Sequence, residues 1–523
     1  MQRSNSTSAI PPAISPEAPS SAPQSIIIIG AGIGGLTAAA LLAHRGYAVR
    51  IYDQALVPGG CASTFQRRGF TFDVGATQVA GLEPGGIHHR IFEELGIELP
   101  AATPCDPACA VVLPGETEPI NVWRDPDQWK AERQRQFPGS EPFWKLLSTL
   151  FKPSWDFQGR DPVLPPRNIW DLTQLVGALR LQTLITAPFT FSTVSDALGW
   201  FGLKGDRRLK TFLDMQLKLY SQVDTEETAL LYAATAMAMS QAPFGLWHLD
   251  GSMQVLSDRL VGAIERDGGT VQMRHTVEAI HLENGKANAV TILDQRSKES
   301  RIEQADHIIA NVTVQDLMRL LGDQAPSGYS DRVSNLKSPS GAFVIYLGVD
   351  QSAIPKECPP HLQFLYDPDG PVGENNSLFV SVSKPGDGRA PDGKATIVAS
   401  SFVDADRWWQ VKDDPIAYAA LKQEFTETAI AHLALYFDLE GTIVYQEAGT
   451  PLTFWRYTAR EKGFVGGVGM RVPTFGPFGF ANRTPIANLW LVGDSTHPGE
   501  GTAGVSYSAL TVVRQIEALG SKR

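Results

Sequence analysis

The stretch 25–46, SIIIIGAGIGGLTAAALLAHRG, constrains this chain more than any other part of it. From Ser25 to Ala43 it holds 19 residues without a charge, close to the ~20 that a transmembrane helix needs. Gly30 and Gly34 even stand at the spacing that packs membrane helices together. The order of the glycines argues for something else. Ser25 to Ile29 is a short, largely β-branched run, followed by Gly30, Gly32 and Gly35 in G-x-G-x-x-G order, then Ala39 and Gly46. This reads as strand, tight turn and helix. The first glycine permits the turn, the second lets a pyrophosphate approach the backbone, and the third lets the helix lie against the strand. A second strand, AVRIYD, ends at Asp53, where a carboxylate can accept hydrogen bonds from a ribose. The stretch is then apolar because a central parallel strand is buried on both faces. The expectation is an α/β, doubly wound parallel sheet that binds a dinucleotide.

Bulk properties narrow the rest. A chain of 523 residues is too long for one ordinary core and predicts two domains, possible interleaving included, with 43% hydrophobic residues to fill them. A formal net charge of -11 argues against nucleic acid, whose phosphates demand clustered Lys and Arg. The four cysteines, Cys61, Cys105, Cys109 and Cys358, imply no disulfide framework. Cys105 and Cys109 with His88 and His89 match no strong zinc pattern; they read as packing thiols and surface imidazoles, and no metal site is expected. Residues 1–24, with five Pro, six Ser and four Ala, read as a disordered tail without the basic and apolar regions of a targeting peptide.

Two further stretches carry a family likeness: VPGGCASTFQRRGFTFDVGATQV after Asp53, and NLWLVGDSTHPGEGTAGVSYSALTVVRQIEALG near the other end. The chain resembles the carotenoid desaturase and isomerase group of FAD-dependent flavoproteins, within the wider class of amine oxidases and phytoene desaturases, from Ser25 to Leu519. The resemblance implies a Rossmann-type FAD-binding domain with an interleaved α+β substrate domain. In such a protein Pro58-Gly59-Gly60 and Phe72-Asp73-x-Gly75 would flank the isoalloxazine side of the cofactor. Gly493-Asp494 would end a strand beside the ribityl and pyrophosphate, the backbone at Val277 would lie near the adenine, and the strand ending at Asn311 would re-enter the cofactor sheet. One departure is that relatives commonly have Arg after the glycine pair, where this chain has Cys61. That departure argues against an amine oxidase, and the lack of any cysteine after Cys358 argues for noncovalent FAD.

The carboxy-terminal motif makes sense unaided. Leu489 to Val492 reads as a buried strand and HPGEGTAG as a glycine elbow opening a helix with apolar positions at Val505, Ala509, Val512, Val513 and Ile516. Gly501, Thr502 and Gly504 would present free N–H groups and a partial positive charge at that helix start, suited to the flavin N1/C2=O edge. Asn284-Gly285 reads as a hairpin turn. VGGVGMR at 465–471 lacks a preceding β run and reads as a loop, so a pyridine-nucleotide site is not expected and electrons should leave by quinone or oxygen. The expected division is 25–85, 251–315 and 481–520 for the FAD-binding domain, and 86–250 and 316–480 for a substrate and membrane-associated domain.

Within the latter, Leu172, Leu175, Val176 and Leu179 form a helical stripe, and 181–195 is an uncharged run broken by Pro188, too short to span a bilayer. Arg160, Arg167, Arg180, Lys204, Arg207 and Arg208 border it. That suits an apolar face lying in the headgroup region, and equally a core with a solvated basic edge. The first alternative implies peripheral attachment at the cytoplasmic side of a membrane without a span. A second apolar run, 229–249, opened by the helix-start acids Asp224, Glu226 and Glu227, would line a hydrophobic tunnel by resemblance, or simply fill a core.

The chemistry implied is carotenoid desaturation. A C–H bond beside conjugated double bonds can lose hydride to the flavin because the remaining cation is delocalised, and loss of a proton next door extends the conjugation; the cofactor carries the reaction and the protein supplies position and dryness. His497 and Glu500 are the candidate proton acceptors. The carboxy-terminal stretch looks most like desaturases acting at the C-3',4' end of acyclic or monocyclic carotenoids. A carotenoid cis-trans isomerase using reduced FAD is the alternative, and a non-catalytic isoprenoid-binding escort protein a more distant one.

Overall fold

In a computed structural model that describes residues 23–520, two large sheets of different character and three smaller ones share the chain. The tail expectation for residues 1–24 therefore falls almost wholly outside the described residues. The first sheet is parallel and five-stranded, in the order Thr270–Met273, Ala48–Asp53, Ser25–Ile29, His307–Ala310, Leu489–Leu491. Its central strand explains the uncharged run. Ile26 and Ile28 point to one core with the helices Ile33–His44, Gln254–Arg266 and Thr502–Gly520. Ile27 and Ile29 point to the opposite core, built with a three-stranded antiparallel sheet and the helix Val314–Leu321. Alternate side chains of a strand face opposite ways, so a strand covered on both faces must be apolar at every position. No helix among the described residues is long and apolar enough to cross a membrane. In the small antiparallel sheet, Asn284 and Gly285 both take positive φ between paired Glu283 and Lys286, the geometry of a two-residue hairpin turn.

The second sheet is mixed and seven-stranded, running Ile443–Gly449, Gly341–Asp350, Lys394–Val403, Ser377–Val382, His361–Leu365, Cys109–Val112, Ile120–Val122. Strands from before residue 123 thus pair with strands from after residue 360, Cys109–Val112 lying parallel to His361–Leu365. Helices Glu141–Gln158, Arg207–Ser221 and Leu230–Ala238 cover part of it around a core that includes Trp129, Phe143 and Phe212. Cys105 and Cys109 are buried in that core, their thiols pushed up in pKa by burial, Cys105 to about 11. His88 corrects the surface reading: it is 1% exposed, with Nδ1 against the Ala80 carbonyl at 2.8 Å and Nε2 against Ser506 Oγ at 3.2 Å.

A buried ionic cluster ties the strands Phe70–Asp73 and Leu246–Leu249 and the helix Gln254–Arg266 to the loop that joins Ser377–Val382 to Lys394–Val403 in the second sheet. Asp73 accepts from Met253 N at 2.8 Å, at the start of the helix Gln254–Arg266, and pairs with Arg389 at 3.1 Å. Arg389 also donates to Leu249 O at 2.7 Å and reaches Asp387, which holds His248 at 3.0 Å. Phe72 and Asp73 are therefore turned into the protein rather than toward a cofactor; of that motif, Gly75 lines the large cavity described below. Because removing one partner strands the other charge without water, Arg389→Met is expected to lower stability by about 3–5 kcal/mol, read as a shift in the chemical denaturation midpoint.

Candidate cofactor cradle and substrate channel

The turn after Ile29 is built from backbone in near contact. Gly30 has φ +97, and a Cβ there would lie 2.6 Å from the Asn311 carbonyl; a Cβ on Gly35 would collide with the carbonyl of Gly30. Gly35 packs the helix down and does not line the cavity, whereas Gly30, Gly32 and Gly34 do. Helix Ile33–His44 begins at Gly32 with no side-chain cap and no acid in its first turn, so its N–H groups and partial positive charge are left for an anion. Asp53 ends the neighbouring strand, accepting from Ala31 N at 2.6 Å and Ala55 N at 2.7 Å. Burial raises its pKa and these two N–H groups oppose the rise, so the carboxylate holds the turn while also lining the cavity.

Other expected residues converge on the same cleft. Gly59 donates to the Ala31 carbonyl at 2.8 Å, and a Cβ on Gly60 would lie 3.3 Å from Gly32 Cα, which seats this second glycine turn on the first. Val277 lines the cleft from the strand His275–Glu283, where the ladder is bulged between Val277 and Ala279. Gly493 and Asp494 follow the edge strand Leu489–Leu491. Asp494 pairs with Arg460, a residue the motif reading did not single out because it sits in a loop with no pattern of its own. Burial disfavours the Arg460 charge, and Asp494 together with the other neighbouring groups outweighs it, so the guanidinium stays cationic with its pKa raised. These features fit a dinucleotide: an uncapped helix start, glycines where a Cβ would fill the cradle, and a carboxylate at the second strand end.

At the carboxy-terminal elbow, Gly499 and Gly501 take positive φ, a Cβ on Gly504 would lie 2.5 Å from the Gly499 carbonyl, and the helix starts at Thr502. Gly501, Thr502 and Gly504 line the cavity with His497 and Glu500. His497 Nε2 donates to Gln158 Oε1 at 2.9 Å, which leaves Nδ1 with its lone pair and no partner. Burial pulls its pKa down to about 4. Glu500 accepts from Gln222 Nε2 at 3.1 Å through one oxygen and has no partner on the other. Burial first, and the Asp494 charge second, push its carboxyl up to about 8. Neighbouring groups thus stand at opposite ends of the protonation range at neutral pH: an imidazole kept neutral and a carboxyl kept protonated. Gln158 and Gln222, at the ends of two helices, hold the two side chains in place, the Gln222 hydrogen bond opposing the rise at Glu500, and neither carries a sequence signal of its own.

From the elbow the cavity, about 1440 Å³ in all, continues between helices past Trp155, Leu231 and Met239. Helix Leu230–Ala238 serves two surfaces: Leu230, Ala233, Ala234 and Met237 fill the core, while Leu231, Tyr232 and Thr235 face the cavity. The acids expected to open it do other work. Its first turn is free of acids, and Glu227 pairs with Arg471 at 3.1 Å and with Lys337. The segment 169–201 breaks into short helices, and a core-only reading of it does not hold: Leu172, Val176, Leu181, Ile185 and Phe191 are exposed, Leu181 by 86% and Phe191 by 71%. Leu179 and Leu184 are at once exposed and cavity-lining, which marks an apolar mouth there; Leu56, Val57 and Tyr457 mark a second opening beside the cradle. Of the bordering basic residues, Arg207 pairs with Asp369 and Arg208 with Glu116, so they are not free. Arg160, Arg167, Arg180 and Lys204 form no ion pair among the described residues.

Comparison with known proteins agrees with this geometry. Residues 33–516 match the family model of the flavin-containing amine oxidoreductases. The chain is 26% identical over 514 residues to a chloroplastic prolycopene isomerase of Arabidopsis thaliana, covering 94% of this chain and 82% of that protein. It is 25% identical to a 4,4'-diapophytoene desaturase of Methylomonas, covering 92% and 93%. Cyclohexylamine oxidase of Brevibacterium oxydans shares the fold, with a TM-score of 0.60 at 18% identity over 95% of this chain and 100% of that one. A dinucleotide cradle, an enclosed apolar channel and a family match over nearly the whole chain lead to one assignment: this is an FAD-dependent oxidoreductase belonging to the flavin-containing amine oxidoreductase family.

Proposed function

We propose that the protein is a carotenoid desaturase that introduces a C=C bond, at the C-3',4' end of an acyclic or monocyclic carotenoid, on substrate drawn from a membrane surface. The observation that carries this reading is the continuity of one cavity from the glycine cradle to an exposed apolar mouth. A long polyene is insoluble in water, so an enzyme acting on it needs both a dry channel and a way in from lipid. The sequence relatives, named for carotene isomerisation and phytoene desaturation, support the same substrate class.

When bound, FAD supplies the two-electron acceptor, and a quinone or oxygen then takes the electrons onward. The chain's own contribution is to hold the polyene, exclude water and remove a proton. His497 suits the last task because burial keeps it neutral and its Nδ1 lone pair is unpartnered. A polyenyl cation is a strong acid, so even a weak base suffices to take the proton from the carbon next to the one that lost hydride. The balance is one hydride and one proton lost and one new double bond in conjugation. Glu500 favours a second reading: a protonated carboxyl beside the channel is a proton donor, and transient protonation of a polyene would free a bond to rotate, giving cis-trans isomerisation without net oxidation.

The exposed face at 169–191 lies over the mouth, with the unpaired Arg160, Arg167 and Arg180 beside it. This is the pattern of a surface seated in the headgroup region of an anionic membrane. Fully burying one large apolar side chain is worth about 1.5–3 kcal/mol. Leu181→Asp together with Phe191→Asp should therefore weaken binding to anionic vesicles ~10-fold or more in flotation, and high salt should weaken binding of the parent protein.

The two chemical readings separate by mass. In cells accumulating acyclic or monocyclic carotenes and their hydroxylated derivatives, the product should be lighter by two hydrogens and absorb further to the red, and His497→Asn should lower that yield about 10²–10⁴-fold with the flavin still bound. A product of unchanged mass, formed only with pre-reduced flavin, assigns isomerisation instead. A separate check concerns Glu500. The folded protein holds a proton up to about pH 8 that an unfolded chain releases near 4.5, so this group's contribution to stability falls as pH rises through that window. Glu500→Gln should melt higher than the parent apoprotein at pH 8, with the difference shrinking to nothing toward pH 4.5, in thermal denaturation across pH.

A further inference from the structure

We propose that Arg460 is the cation this chain presents to the diphosphate of its bound dinucleotide, with Asp494 as the residue that positions it. A diphosphate carries about two negative charges into the cradle, and the uncapped helix start at Gly32 answers with roughly half a positive charge. The remainder must come from a side chain or from water. The glycine turn that closes over the cradle, Gly59–Gly60, is followed by Cys61, which brings no charge.

Arg460 arrives from the far end of the chain, just after the helix Pro451–Thr458, and lines the same cavity. Two runs of neighbouring residues lead from it toward the phosphate site. Cys61 lines the same cavity as Arg460 and adjoins Gly60, whose Cβ position lies 3.3 Å from Gly32 Cα, and the Arg460 and Asp494 charges both act on its thiol. Asp494 adjoins Gly493, whose Cβ position lies 3.2 Å from Asn311 Oδ1; the same amide oxygen lies 2.9 Å from a Cβ on Gly34. The guanidinium is anchored on two sides, donating to Gly466 O at 3.0 Å and to the Asp494 carboxylate. It is 16% exposed, and a guanidinium has five N–H groups, so donors remain for phosphate oxygens. The other cations lining the cavity are otherwise placed. Arg319 is 54% exposed on Asp316, Lys218 donates to Gln222 O at 3.0 Å on the channel side, and Arg67 donates to Gln66 O. Among the described residues Arg460 is the enclosed cation of the cradle.

The test is titration of the full-length apoprotein with FAD, ADP and riboflavin, followed by flavin fluorescence and calorimetry. Arg460→Met should weaken FAD and ADP about 10–100-fold, the worth of one charge-assisted hydrogen bond, and flatten the salt dependence of FAD binding, while riboflavin binding stays within about twofold. Arg460→Lys should recover part of the loss. Arg460→Met combined with Asp494→Asn leaves no stranded carboxylate, so it separates binding from folding and should bind FAD as weakly as the single variant. The proposal is overturned if the single variant binds FAD as the parent does. It is also overturned if riboflavin weakens as much as FAD, which would put the guanidinium on the ring, or if the double variant regains the parent's affinity, which would make the pair merely self-neutralising.

Discussion

Everything in this protein hangs from the close approach of three backbones at Gly30. The first strand turns there into its helix, the Gly35 position presses on the Gly30 carbonyl, and Asn311, at the end of the neighbouring strand, comes within reach of Gly30, Gly34 and Gly493. No second side chain fits beside that of Asn311 in this space. Because Asn311 and Gly493 lie hundreds of residues from Gly30, the turn can close only when distant segments have been brought into one parallel sheet. The cradle is thus a product of sheet assembly, while the helix start that faces it is positive from its own peptide dipoles and uncapped because its cap residue is Gly32.

Around this cradle the chain buries charge in two places, and the difference between them is instructive. Asp73, Arg389, Asp387 and His248 are 3–5% exposed and face one another with most donors and acceptors satisfied. Burying charges is costly, and such a cluster holds elements in register more than it adds stability. It joins a loop of the seven-stranded sheet to two short strands and the helix Gln254–Arg266, which is where register matters. Arg460 and Asp494 are enclosed too, but they border open space and retain capacity for further hydrogen bonds. One cluster is complete in itself; the other has room for a ligand.

A comparable contrast separates the apolar surfaces. The walls near Leu231 and Trp155 face the cavity, whereas Leu181, Phe191 and Ile169 stand in the open at an energetic disadvantage. Their proximity to a channel mouth gives that disadvantage a rationale, since an apolar rim and an apolar bore form one path for an apolar molecule.

Gly493 and Asp494 were expected from the family resemblance, whereas the parallel sheet, the two glycine elbows and Asp53 at its strand end were legible in the residues themselves. Each rests on local rules: a strand buried on both faces must be apolar throughout, and backbone that touches backbone must be glycine. The hairpin at Asn284-Gly285 was legible for the same kind of reason. Tertiary structure alone decided the rest. The Phe72-Asp73 pair looked like cofactor wall, but its carboxylate is claimed by Arg389, 316 residues away in sequence. Asp224 to Glu227 looked like a helix start, but Glu227 is drawn to Arg471. His497 and Glu500 were visible as titratable residues in a loop, while their opposite protonation states come from the enclosure itself, with the Asp494 charge adding to the rise at Glu500. Arg460 had no motif at all. The range of the forces explains the division: steric rules act between neighbours in sequence and leave a pattern, whereas charge and desolvation depend on whichever groups the finished fold brings together.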